Sequence, residues 1–127
     1  MKAFEQLNFG RQPTLLTALK SRRKIELDEL ELQLVAIGHI EYRRACGLKK
    51  EAAVDAVRRA YGVSRDTVLS WEKRLRKDRG QLEVSRRIAF ARNSVGNDFR
   101  IKLHSDEELA NNGSEYKRIR RLSKLNA

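Results

Sequence analysis

The chain of 127 residues has one cysteine, one proline, one tryptophan, and only 6% aromatic residues. One cysteine closes no disulfide within the chain, so packing must hold the fold, and a reducing compartment, the cytoplasm, is expected. So few aromatics, with 40% hydrophobic residues overall, leave material for a thin helical core but not for a large sandwich or barrel. No stretch approaches the roughly 18 unbroken apolar residues of a membrane span. Glu5 falls where a signal peptide would have its apolar stretch. A partner membrane is therefore not expected.

Chemistry is lacking as well. Cys46, His39 and His104 are too few and too scattered in sequence for a zinc site, which takes four ligands at characteristic spacing. Cys46 reads as a small, semi-buried residue near a helix end. There is no Gly-rich loop to cradle a nucleotide phosphate, and the carboxylates sit mostly beside basic residues on exposed faces, not as a pair held in a cleft. Asn112-Gly113-Ser114 fits a glycosylation sequon but reads as a turn. No catalytic residue, metal or cofactor is expected, and an enzyme is the least supported class.

Positive charge is what the chain has in excess, at a formal +11 with a pI near 10.3. Its distribution is uneven: residues 1–42 hold six basic and six acidic residues, residues 43–92 hold fifteen against six, and residues 93–127 hold seven against five. Concentration in one window points to a polyanion-facing module, with nucleic acid as the expected partner. A solvated surface or a membrane-surface patch is the bland alternative.

The periodicity predicts an all-α fold. Residues 1–12 read as an irregular arm, with Pro13 suited to a helix start and a short amphipathic helix from Thr14 to about Lys24. A stronger helix is predicted over Asp28–Ala45. Its stripe is Leu30, Leu34, Ile37 and Tyr42, and Asp28, Glu29 and Glu31 complement the dipole at its start. Gly47 can cap its end. An Ala-rich helix over Lys49–Tyr61, with Ala52, Ala53, Ala56 and Ala60, is small enough in section for another helix to cross closely. Gly62-Val63-Ser64 then leads, with Ser64 as N-cap, into a helix from Arg65 to about Asp78 whose apolar face is Val68, Trp71 and Leu75. A fourth helix follows Gly80. Residues 93–104 admit a loop or a short strand around Phe99–Leu103. Ser105 to Glu108 has capping-box spacing, Asn111-Asn112-Gly113 is expected to break the helix it starts, and Ser114 to cap a last basic helix. The resulting organisation is an arm and short helix at 1–27, a core at 28–80, and a C-terminal helical extension with a basic tail at 81–127.

Helix, three-residue turn and helix, with glycine opening the turn, is helix-turn-helix geometry. Residues 49–77 resemble the homeodomain-like helix-turn-helix domains of bacterial transposases and small transcriptional regulators. The resemblance is carried by Tyr61, Gly62, Val63, Ser64, Thr67, Val68 and Trp71. One departure is Arg58, four positions before the turn glycine, where the family usually has a small residue at the helix crossing. The resemblance implies double-stranded DNA as partner.

In that reading Arg65, Asp66, Leu69, Ser70 and Lys73 face the bases, while Arg43, Arg44, Lys49, Lys50, Ser64, Arg74, Lys77, Arg79, Arg86 and Arg87 hold phosphates. The Lys117–Lys124 cluster fits a phosphate-gripping arm and a soluble helix end equally. A lone helix-turn-helix reads few base pairs, so a homodimer on two half-sites is expected. A transcriptional regulator acting on cytoplasmic, nucleoid-associated DNA is the leading expectation. The alternatives are a DNA-recognition subunit of a mobile-element or phage packaging assembly, and an adaptor whose basic face meets an acidic protein.

Overall fold

A computed structural model describes residues 15–97 and 101–125. The arm expected at 1–12, and Pro13, lie outside the described residues. The described chain is all-helical: α1 (Leu15–Ala45), α2 (Lys50–Tyr61), α3 (Arg65–Arg79), α4 (Gln81–Arg92), a 3₁₀ turn (Ile101–His104) and α5 (Asp106–Leu125). Among the described residues there is no strand. The segment that admitted one is 3₁₀ at 101–104, and residues 98–100 lie outside the description.

Local signals set most helix ends. α1 closes where the Gly47 N–H donates to the Arg44 carbonyl and the Leu48 N–H to that of Arg43, with Gly47 at positive φ. α2 stops at Gly62, which adopts the left-handed conformation (φ 70°, ψ 37°). There the Arg58 carbonyl accepts from both the Gly62 and the Val63 N–H groups. The Ser64 Oγ accepts from the Thr67 N–H at 3.2 Å and so caps α3. The Ser105 Oγ accepts from the Glu108 N–H at 3.1 Å and starts α5.

Three features depart from the sequence reading. First, α1 runs unbroken from Leu15 to Ala45, so the expected boundary at residue 27 is not a helix end. Asp28, Glu29 and Glu31 therefore sit within the helix, not at the positive end of its dipole. They face basic residues instead: Arg87 bonds Glu31 at 2.5 Å and Arg120 bonds Glu29 at 3.3 Å. Second, α5 passes straight through Asn111-Asn112-Gly113. Gly113 is buried against Ala60 of α2, and helix-helix packing outweighs its poor helix propensity of about 1 kcal/mol. Third, the expected boundary at residue 80 does not divide the core. Val84 of α4, with Leu109 and Tyr116 of α5, joins the same buried cluster as Leu34, Val57, Tyr61 and Trp71.

That cluster fixes the helix-turn-helix pair. α1 packs on α2, α3, α4 and α5, while α5 also lies against α2. At the centre Tyr61, Trp71 and Tyr116 form a triangle of tilted rings with centroids 5.0–5.6 Å apart, a spacing favourable to edge-to-face contact. One ring comes from each of α2, α3 and α5. The Tyr61 hydroxyl donates to the Leu32 carbonyl of α1 at 2.7 Å, which ties the end of α2 to α1. Among the described residues no helix is long and apolar enough to cross a membrane.

Candidate nucleic-acid interface

α3 is anchored on one side and bare on the other. Val68, Trp71 and Leu75, at i, i+3 and i+7, are buried. Arg65, Asp66, Leu69, Ser70 and Lys73 are all exposed, so the five expected base-facing residues share the outward face. Leu69 is 41% exposed, an apolar side chain held in solvent among polar ones. Arg65 lies 3.7 Å from Glu51, whose side chain is itself largely exposed. The Ser70 hydroxyl donates to the Thr67 carbonyl at 2.7 Å, leaving its lone pairs outward. Lys73 has no ion-pair partner among the described residues.

The ten residues expected to hold phosphates divide in two. Six are engaged within the protein. Arg43 pairs with Asp106, Arg44 with Glu41 at 3.1 Å, Arg79 with Glu83 at 2.8 Å, Arg87 with Glu31 at 2.5 Å, and Arg74 donates to the Gln33 amide oxygen at 3.2 Å. Ser64 is the α3 cap, its hydroxyl also bonded to that of Thr67 at 2.8 Å. Lys49, Lys50, Lys77 and Arg86 are exposed with no ion-pair partner among the described residues. Five of the six arginines in the set are spent on the fold: carboxylates of neighbouring helices hold Arg43, Arg79 and Arg87, Glu41 one turn back holds Arg44, and the Gln33 amide holds Arg74, while Arg86 is left free. The lysines stay in water.

Arg58, the departure from the family pattern, leaves the helix crossing along its flexible stem. Its guanidinium bonds Asp55 on the same helix at 2.7 and 3.0 Å, and this hydrogen bond and charge hold the half-buried Asp55 carboxyl below the usual range. Ala53, Val54 and Val57 fill the crossing instead.

Other chemistry-bearing side chains are placed differently from their sequence reading. Cys46 is exposed, not semi-buried, because it follows the end of α1. His39 and His104, far apart in sequence, are brought together with ring centroids 6.4 Å apart, and His104 stacks on Tyr42 at 4.6 Å. Both histidines are buried. Burial first, then the Arg43 charge, then His104, pushes His39 down to about 4, and burial with Arg43 lowers His104 as well. Among the described residues no group of three or more His, Cys, Asp or Glu side chains could hold a metal ion.

The Lys117–Lys124 cluster, which the sequence left open between a phosphate-gripping arm and a soluble helix end, takes a definite place in the fold. Lys117, Arg121 and Lys124 of α5 line a groove with Tyr61, Gly62 and Val63 at the helix-turn-helix turn. Their i, i+4, i+7 spacing was legible, but the helix they face was not. No family model, curated protein or solved structure matches the chain.

Proposed function

We propose that the chain is a sequence-specific double-stranded DNA-binding protein that inserts α3 into the major groove, most simply as a transcriptional regulator. The reading rests on one arrangement above all. α3 is fixed to the core by Val68, Trp71 and Leu75 while Arg65, Ser70 and Lys73 stand in solvent on its other side. An α-helix fits the major groove of about 12 Å, where arginine and lysine donate to guanine edges and a hydroxyl pairs with several bases. Asp66 would repel phosphate, so it serves as a base-edge acceptor or orients Arg65. Lys49, Lys50, Lys77 and Arg86 then contact the backbone. The formal charge of +11 supplies the long-range attraction.

A single such helix reads few base pairs, so two copies on paired half-sites account best for useful specificity. The role is binding, with no chemical step.

Selection of bound duplexes from a random pool tests the reading. An enriched motif, bound with a salt slope of about −3.6 or steeper per copy, as expected for the four cations just named, supports it. No enrichment, together with a slope shallower than about −2, overturns it.

A further inference from the structure

α5 carries Lys117-Arg118-Ile119-Arg120-Arg121, with Lys124 one turn further. The fold sorts these cations. Arg118 is held by Glu115 of its own helix. Arg120 reaches Glu29 of α1 at 3.3 Å and lies 5.9 Å from the Tyr116 ring centre. Lys117, Arg121 and Lys124 remain, at i, i+4 and i+7, which places them on one stripe of the helix. All three are exposed and none has a partner among the described residues. Like charges at this spacing repel, so nothing in the fold itself asks for the stripe. An external anion would relieve it.

The stripe lies against the helix-turn-helix. The stem of Lys117 covers Gly62, where an added Cβ would stand 2.8 Å from Lys117 Cε. A groove of about 290 Å³ opens between the turn and α5, and no carboxylate lines it. At the other end of α2 stand Lys49 and Lys50. α2 has 12 residues and so spans about 18 Å, more than the roughly 12 Å width of a major groove. The two sets of cations are thus far enough apart to meet phosphates on both sides of the groove that receives α3.

We propose that Lys117, Arg121 and Lys124 form a second phosphate site that grips the DNA backbone beside the turn, opposite the strand held by Lys49 and Lys50. The inference rests on the DNA-binding reading above and adds a clamp indifferent to sequence.

The test is the full chain carrying Lys117→Met, Arg121→Gln and Lys124→Gln together, the methionine keeping an apolar stem over Gly62. Binding to a duplex selected by the parent protein and to a scrambled duplex is followed by anisotropy between about 50 and 200 mM salt. The salt slope should flatten by two to three units, since each phosphate contact contributes about 0.9. Both duplexes should weaken by the same factor. If the triple variant melts below the parent, Arg121→Gln with Lys124→Gln, which leaves Lys117 in place, should flatten the slope by one to two units. A parent that binds steeply while the variant keeps its slope and affinity overturns the clamp and leaves the DNA-binding reading standing. Loss confined to the selected duplex also overturns it, because the stripe would then read bases. A parent that binds no duplex overturns both.

Discussion

Gly113 of α5 lies so close to Ala60 of α2 that a Cβ built on it would stand 2.1 Å from the Ala60 carbonyl oxygen and 3.1 Å from the Ala60 Cβ. Two helix backbones meet there. The small residue on each side lets Tyr116, one turn beyond Gly113, reach Tyr61 and Trp71. The contact sets how far the basic stripe of α5 stands from the turn.

Gly113→Ala is accordingly expected to destabilise the protein by about 1–3 kcal/mol, the range for overpacking a filled interior. Helix propensity alone gives the opposite sign, a gain of up to about 1 kcal/mol. Asn111→Ala, on the exposed side of the same turn, should be neutral or slightly stabilising. Thermal melting of the two variants decides between packing and propensity by the sign of the shift.

Trp71→Ala should cost on the order of 3–5 kcal/mol, which approaches the whole stability of a domain this small. The indole is fully buried and its N–H has no acceptor among the described residues, so its contribution is area and ring contact. Tyr61→Phe removes only the hydrogen bond to Leu32 and should cost about 1 kcal/mol. A melt of Trp71→Ala equal to the parent's would mean that α3 is not anchored by this ring.

Acid should loosen the end of the molecule where α1 meets the 3₁₀ turn. His39, held down to about 4 against an ordinary 6.5, faces Arg43, His104 and Asp106. The unfolded chain binds the proton first, so stability is complete above about pH 6.5 and declines as pH falls toward 4. The loss is roughly 3 kcal/mol from this group. His39→Gln should show a shallower decline of melting temperature between pH 6.5 and 4 than the parent. An identical decline would assign the acid sensitivity to carboxylates alone.

On α3, Arg65→Ala or Lys73→Ala should each cost about 1–3 kcal/mol on the selected duplex and relax preference at one base pair. Lys77→Ala should weaken selected and scrambled duplexes alike and flatten the salt slope by about one unit. Competition between the two duplexes separates these behaviours. Equal weakening of both by Arg65→Ala would make α3 a phosphate clamp and not a reader.

Paired arginines and free lysines should part company in the same assay. Arg87→Gln breaks the pair with Glu31 and should lower stability by at most about 1 kcal/mol, as partly exposed pairs do, with little change in salt slope. Lys50→Gln should leave the melt unchanged and flatten the slope. The reverse pattern would show that the pairs open when DNA binds.

Where a helix begins or turns depends on groups three or four residues apart, and the sequence carries those directly. Ser64 with Thr67, Ser105 with Glu108, Gly62 after Tyr61, and the Val68, Trp71, Leu75 face of α3 could all be placed by spacing alone. So could the exposure of Arg65, Asp66, Leu69, Ser70 and Lys73, since the face opposite a buried stripe is outward. What only the tertiary structure decided involves partners far away in the chain. Glu31 meets Arg87, Arg43 meets Asp106 and Arg120 meets Glu29 across separations of 56, 63 and 91 residues. These pairings determine which cations remain free for a phosphate. Gly113 likewise reads as a helix breaker until Ala60 is seen against it. Local propensity is worth about 1 kcal/mol there, and a close backbone contact between two helices outweighs it.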